Sequence, residues 1–225
     1  MSVIADRRRV RDYTCGLALH YAELGWRVFP VNQQKRPMIK GWPDLATTDR
    51  KQIKAWWKLW WNAVGICTGP ESGIWVLDID TRKGGKETLD GFFVTKHMSG
   101  AEALTALIAK HGPLPKTLMA RTPSGGLHYY FRYPKLVDIR THWGKVGPHI
   151  DHRGRRGFVV APDSIVEKGK YEWIEPTREP ARAPRWLECL TLPLKDRQPF
   201  PAWPCWYCGL EHLRFDDPQI KSRRG

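Results

Sequence analysis

Apolar residues recur at two spacings along this chain, and these spacings predict its helices and strands. Segments 13–24, 48–61 and 99–111 carry the three- to four-residue spacing and the cap signals of helices. Shorter runs rich in β-branched and aromatic residues predict strands at 26–31, 64–68, 73–80, 117–121, 127–133, 158–161 and 171–174. Because helices and strands do not alternate strictly, we expect an α+β fold, with mixed sheets flanked by helices.

The pattern weakens near Pro176, where prolines begin to recur at short intervals. Proline removes a backbone donor and interrupts long elements. We therefore expect two parts: a folded domain at residues 1–175 and a loosely packed, proline-rich extension at residues 176–225.

The charge balance indicates the kind of partner. The chain has 37 Lys and Arg against 23 Asp and Glu, a formal net charge of +14. Such an excess favours nucleic acid, and the alternative is a basic surface without a partner. No segment is apolar enough for a membrane span, no signal core follows the basic N-terminus, and the five scattered cysteines form no disulfide framework. We expect a cytoplasmic protein without a membrane partner.

Asp78 and Asp80 end the most apolar of the predicted strands. Side chains two apart in a strand share a face, so the two carboxylates would point the same way. Neighbouring carboxylates repel unless a cation lies between them, and hard divalent ions such as Mg²⁺ or Mn²⁺ prefer oxygen ligands. The alternative is a strand end that turns into a polar loop.

The segment 122–128 reads Thr-Pro-Ser-Gly-Gly-Leu-His. Gly125 and Gly126 would let backbone N–H groups approach a phosphate closely, and Ser124 would add a hydroxyl donor. His128, at the start of the next strand, is a candidate donor to a triphosphate oxygen. The alternative is a plain hairpin turn with an incidental histidine.

The segment 149–157 combines an acid with several arginines. Asp151 is a candidate third carboxylate, and Arg153, Arg155 and Arg156 are suited to phosphates. One alternative is a solvated basic loop. A second is a zinc site that also includes nearby histidines, although their spacing matches no usual zinc pattern.

Cys205 and Cys208 form a Cys-x-x-Cys pair, which resembles half of a Zn²⁺ site, with His212 and Cys189 as further candidate ligands. The alternative is two reduced cysteines in an aromatic-rich tail. The chain contains no P-loop, nucleophile elbow or dinucleotide fingerprint, which argues against motor-type nucleotide hydrolysis.

The order of these motifs is more informative than any one of them. An apolar strand with Asp-x-Asp comes first, then Ser-Gly-Gly-x-His, then Asp151 with Arg153-Gly154 and a strand that ends at Ala161-Pro162. This order resembles the N-terminal domain of bifunctional DNA primase/polymerases, in the archaeo-eukaryotic primase superfamily. The resemblance covers about residues 14–175 and includes similar flanking segments at 24–30, 35–37, 62–69 and 171–173.

The resemblance implies a role for each matching residue. The metal ligands would be Asp78, Asp80 and Asp151, which would hold two divalent ions, Mg²⁺ or Mn²⁺. The contacts to the nucleotide's triphosphate would come from Ser124, Gly125, Gly126, His128 and, as a further phosphate contact, Arg153. The backbones of template and primer would lie on basic loops that carry Lys35, Lys40, Arg155 and Arg156.

The implied activity is template-directed nucleotidyl transfer from nucleoside triphosphates, on single-stranded or primed DNA, in a phage or plasmid-type replicon. The implied core would hold its catalytic cleft between sheets. No helicase motif is present, so a partner helicase is expected to be a separate chain. Two alternatives remain: a non-catalytic DNA-binding module of the same fold, and a metal-dependent nuclease.

Overall fold

The computed structural model describes residues 3–59, 63–81, 98–174 and 179–192, with side chains from residue 8 onward. The helices within these ranges are α1 (Val3–Glu23), α2 (Trp42–Leu45), α3 (Arg50–Trp56), α4 (Gly100–His111) and α5 (Arg185–Thr191). The strands are β1 (Val28–Val31), β2 (Ala63–Thr68), β3 (Ile74–Ile79), β4 (Leu118–Arg121), β5 (Leu127–Arg132), β6 (His142–Gly147), β7 (Ile150–Arg153), β8 (Gly157–Val160), β9 (Ile165–Val166), β10 (Gly169–Lys170) and β11 (Glu172–Trp173).

The strands form two main sheets and one small hairpin. Six strands pair in the order β11-β4-β5-β3-β7-β6, three pair in the order β1-β2-β8, and β9 pairs with β10. The α+β class predicted from sequence is confirmed. The ladders between the named strands are all antiparallel, which corrects the expectation of mixed sheets. Antiparallel neighbours can be joined by short turns, whereas parallel neighbours need long crossovers.

Strand β3 lies inside the larger sheet and is buried on both faces. Trp75, Leu77 and Ile79 pack into a cluster that includes residues of α4 and α5. Ile74 and Val76 point to the opposite face, into a cluster shared with α1, α3 and the three-stranded sheet. Because side chains alternate along a strand, Asp78 continues this second face beyond Val76. The acid therefore stands where the apolar layer between the two sheets ends.

The predicted helices at 48–61 and 99–111 are confirmed within the described residues. The side chain of Asp49 caps α3 by accepting a hydrogen bond from Lys51 N at 2.7 Å. Ser99 and Glu102 form the reciprocal capping box of α4. Helix α1 begins ten residues before the predicted start at 13. The sequence pattern missed this first part because it is polar and carries no apolar stripe.

Six elements escaped the sequence prediction: the short helix α2, the strands β6, β7, β9 and β10, and the helix α5. Strand β7 lies in the segment 149–157, for which a solvated basic loop was one alternative, and β6 lies just before that segment. Polar side chains conceal the strand pattern of both. Helix α5 corrects the expected loose packing after residue 176. Pro184 precedes its first turn, where proline is compatible with a helix, and Trp186, Leu187 and Leu190 are buried in the core. The rest of the predicted extension, residues 193–225, lies outside the described residues.

In the part of the chain that the structure describes, no helix has the length and apolar character needed to cross a membrane.

Candidate active site on the central strands

Strand pairing brings three residues from distant parts of the sequence into one row. Asp78 of β3 stands opposite His128 of β5 on one side and opposite Asp151 of β7 on the other. Side chains directly opposite each other in antiparallel strands have Cβ atoms about 4.5–5.5 Å apart. The register therefore places a histidine and two carboxylates side by side on the face that adjoins the second sheet.

Arg153 completes this row, which we call the carboxylate row (His128, Asp78, Asp151 and Arg153). It follows Asp151 by two positions on β7 and thus shares its face. One guanidinium nitrogen, Nη2, lies 3.0 Å from Asp151 Oδ2 and 3.3 Å from Asp78 Oδ2. On the other side, His128 Nε2 lies 3.4 Å from Asp78 Oδ1. The Arg153 guanidinium therefore bridges the two acids, Asp78 and Asp151, which lie on adjacent strands.

The two carboxylates differ in their proton affinity. Burial tends to raise the pKa of Asp78, but His128 and Arg153 outweigh it and hold this pKa at about 2. Burial raises the pKa of Asp151, the Gly144 N–H and Arg153 oppose the rise, and the charges of Asp78 and Asp80 add to it. The three acids therefore lie close enough to influence one another, as clustered carboxylates at functional sites do.

Asp80 is held by its backbone at the end of β3. Its N–H donates to His149 O at 2.9 Å, and its carbonyl accepts from Gly100 N at 3.0 Å. A side chain on Gly100 would place Cβ 2.7 Å from Asp80 O, so only glycine permits this approach. The first turn of α4 and the β6–β7 connection thus meet at the backbone of Asp80.

The Ser124–Gly126 turn lies at the same end of the sheet. Thr81 Oγ1 donates to Ser124 O at 3.0 Å, and Ser124 Oγ lies 3.1 Å from Thr122 Oγ1. Gly125 has a positive φ of 85°, and a Cβ on Gly126 would lie 2.6 Å from Ile79 O. Both glycines therefore serve to seat the turn against the residues that follow β3, with Ser124 exposed.

His128 lies in the carboxylate row rather than at the surface of the Ser124–Gly126 turn. Its side chain is only 5% exposed, and its Nε2 faces Asp78. Its Nδ1 is buried with no hydrogen-bond partner in the described residues. The histidine therefore contacts the carboxylate row directly, whereas Ser124 and the turn lie toward the surface.

Lys35 approaches the same region from the loop after β1. Its Nζ lies 5.4 Å from the centre of the Tyr171 ring, and that ring lies 5.7 Å from the His128 ring. Lys35 adopts a positive φ of 63°, a conformation that non-glycine residues seldom occupy. The sequence motifs did not point to Tyr171, although it lies within a segment that resembles the family.

The other basic residues predicted to contact DNA lie on the surface. Arg155 Nε is 2.6 Å from Asp138 Oδ1, and Arg156 forms a two-pronged pair with Asp44 at 2.6 and 3.1 Å. Lys40 is also exposed. None of these side chains joins the carboxylate row in the contacts that the structure describes.

The carboxylates of the carboxylate row are the ligand type that a hard divalent ion prefers, although they do not form a complete coordination sphere. Among the described residues, no group of three or more His, Cys, Asp and Glu side chains is arranged to hold a metal ion. Asp78 and Asp151 nevertheless present facing carboxylate oxygens, and Arg153 supplies the cation that such a pair requires. These two acids are the residues that could hold such an ion, and the charge of Asp80 also acts on the Asp151 carboxyl.

The predicted zinc ligands do not come together in the described part of the chain. The rings of His142 and His152 stack with centres 6.1 Å apart, without a metal-binding group around them. Cys189 is buried in the core and takes part in no disulfide among the described residues. Cys205 and Cys208 lie outside the described residues.

Comparison with known proteins identifies the family. The model of the bifunctional DNA primase/polymerase N-terminal domain matches residues 18–186. A search of curated proteins gave no match. The matched range contains the whole carboxylate row, the Ser124–Gly126 turn and the start of α5. The chain therefore belongs to the bifunctional DNA primase/polymerase N-terminal family.

Proposed function

We propose that this chain catalyses template-directed nucleotidyl transfer, adding nucleotides from nucleoside triphosphates to a primer or to an initiating nucleotide. The DNA of a phage or plasmid-type replicon would be its template. The observation that carries this proposal is the strand register that sets His128, Asp78 and Asp151 side by side. It joins three motifs that are separate in the sequence into one site.

Asp78 and Asp151 would hold the divalent ions, Mg²⁺ or Mn²⁺, and Asp80 would complete the set. Bound ions of this kind neutralise phosphate charge and activate an attacking oxygen. Arg153 is the nearest cation to both acids, and its planar guanidinium suits a phosphate oxygen pair. We propose that Arg153 exchanges its carboxylate partners for a phosphate of the nucleotide.

His128 and the turn would have separate tasks. His128 faces Asp78 and is nearly buried, so it acts as a positioning residue that fixes this carboxylate. Ser124 and Gly125 are exposed at the same end of the sheet and are available to the triphosphate. The cleft between the two sheets would admit the nucleotide from the side on which Lys35 and Tyr171 lie.

The carboxylate row favours an enzyme over a DNA-binding module. Acids placed on a DNA-facing surface repel phosphates, so they weaken binding unless cations neutralise them. A purely binding surface in a chain of net charge +14 would gain nothing from the two adjoining acids of this row. A nuclease would use the same acids with water as the attacking group, and the products separate the two reactions.

The test is incubation of a labelled primer on a template strand with nucleotides and Mg²⁺ or Mn²⁺, with a parallel reaction that lacks primer. We expect extension by the wild type and a loss of at least about 100-fold in Asp78→Asn, the scale on which one electrostatic contact to a reacting group acts. Asp12→Asn is the control, because Asp12 is an exposed acid on α1 that pairs with Arg11.

Each outcome has a distinct meaning. Shortened strands would identify a nuclease, and DNA retention without any product would identify a binding module. Equal extension by wild type and Asp78→Asn would remove the carboxylate row from the mechanism.

A further inference from the structure

Trp143 is an exposed tryptophan beside the carboxylate row. Its side chain is 68% exposed, whereas Trp26, Trp57, Trp75 and Trp186 are buried in the core. Tryptophan is highly buried on average, so an indole left open to solvent next to a reactive site calls for a physical explanation. We attribute the exposure of this indole to the pairing of strand β6, which carries Trp143.

The pairing of the strand that carries Trp143 is irregular. The register between β6 and β7 shifts between His142 and Gly147, and Gly144 has a positive φ of 62°. Such bulges re-aim a side chain and recur next to active sites. The N–H of Gly144 donates to Asp151 Oδ1 at 2.9 Å. The segment that presents the indole is thus tied to one of the two central acids.

Arg153 connects the indole to the acids from the other side. The Arg153 Cζ lies 6.0 Å from the centre of the Trp143 ring, while its Nη2 lies 3.0 Å from Asp151 Oδ2. The Trp143 ring, the Arg153 guanidinium and the Asp151 carboxylate are therefore adjacent to one another in that order. A nucleotide has the matching order of an aromatic base, a sugar and phosphates.

We infer that Trp143 is a stacking platform for the base of the nucleotide whose phosphates lie at Arg153 and the carboxylate row. This inference rests on the proposed function and names a residue that contacts its substrate. Stacking on an aromatic side chain tolerates every base, since each has a π face, so this contact would give affinity without base selectivity. Selection of the base would remain with the template.

The single-stranded template is the other source of an exposed base. The free nucleotide is the better match, because the ring is joined to both acids through Arg153 and the Gly144 N–H. A template base would have no need of a position fixed relative to those acids. The two occupants can be separated by measuring each ligand alone.

The test is calorimetric titration of full-length wild type, Trp143→Ala and Trp143→Phe with dATP, dTTP and inorganic tripolyphosphate in the presence of Ca²⁺. Leu59→Ala is the control, because Leu59 is 69% exposed on the short 3-10 turn at Trp57–Leu59, after α3. We expect Trp143→Ala to weaken both nucleotides about 5- to 100-fold, the range that loss of a stacking aromatic produces. Tripolyphosphate affinity would be unchanged, and Trp143→Phe would retain most of the nucleotide affinity.

Three results would overturn the inference. Equal losses for nucleotide and tripolyphosphate would show that Trp143 only supports the fold of the site. Unchanged nucleotide affinity in Trp143→Ala would exclude stacking, and if affinity for a single-stranded oligonucleotide fell at the same time, the template would be the occupant. If the wild type binds none of the triphosphates, the proposed function itself fails, and the inference fails with it.

Discussion

Two groups of arginines that are neighbours in the sequence have opposite environments in the fold. Arg153 lies in β7 with its side chain 22% exposed, and it bridges Asp78 and Asp151. Arg155 and Arg156 follow β7, are exposed, and pair with Asp138 and Asp44 respectively. The charge is the same in all three. What differs is the position relative to the strand, since only Arg153 shares the face of the central acids.

Strand register, rather than local charge, therefore determines which of these arginines belongs to the site. An exposed ion pair contributes little to stability, so the pairs of Arg155 and Arg156 are not needed to hold the site together. The Arg153 guanidinium contacts two carboxylates and lies near the Trp143 ring, so the direction in which it points is fixed. We therefore expect Arg153 to serve chemistry and the exposed pair to serve affinity.

Arg153→Met gives the largest expected effect. Loss of the guanidinium removes the proposed contact to the nucleotide's phosphate, so we expect kcat for nucleotide incorporation to fall about 100-fold. Arg155→Met is the matched control and should leave kcat within about 3-fold, because its partner Asp138 is outside the row. Steady-state primer extension measures both values. A similar loss in the two variants would abolish the distinction between the groups.

Gly126→Ala tests how rigidly the backbone surrounds the site. A Cβ at this position would lie 2.6 Å from Ile79 O, so the turn or the end of β3 must move. We expect the free energy of unfolding to fall by about 1–3 kcal/mol, as for other overpacked positions. Chemical denaturation measures this change.

Gly16→Ala is the control for that experiment. Gly16 lies within α1, and a Cβ there would meet no atom within 4 Å. Alanine at an open helical position should raise stability by about 0.5–1 kcal/mol. Equal destabilisation of the two variants would mean that the close contact at Gly126 does not constrain the site.

Asp44→Ala gives the smallest expected effect. It frees Arg156 from its two-pronged pair, so one more cation becomes available to DNA. On single-stranded DNA, the slope of log affinity against log salt should become steeper by about 0.7, the value for one phosphate contact. Fluorescence anisotropy at several salt concentrations measures the slope. An unchanged slope would place Arg156 outside the DNA-binding surface.

The sequence predicted the elements that bury mainly apolar side chains. Strands β2, β3 and β5 and helix α4 stand out because their apolar spacing or caps agree with their final environment. Strand β7 did not stand out, because Asp151 and Arg153 face the site while His152 is buried. Positions that serve function break the local pattern, so the missed strand is one that carries the site.

The sequence named residues that strand pairing brings together, but it did not give the contacts between them. The order of motifs, read through the family resemblance, named Asp78, His128 and Asp151, and the structure brings these together. That His128 faces Asp78 depends on the pairing register of β3 and β5, which periodicity does not encode. Trp143 carried no sequence signal, since its exposure follows from the bulge between β6 and β7.

Strand register sets Asp78 and Asp151 side by side as the proposed divalent-ion site. Titration of Mn²⁺ followed by electron paramagnetic resonance tests it directly in wild type, Asp78→Asn, Asp151→Asn and Asp138→Asn. Asp138 is the matched control, because it also pairs with an arginine but lies outside the row. We predict that wild type and Asp138→Asn bind Mn²⁺ alike, while each of the other two variants loses at least about 10-fold in affinity, as loss of a metal-site group does. Equal Mn²⁺ affinity in all four proteins would contradict the account.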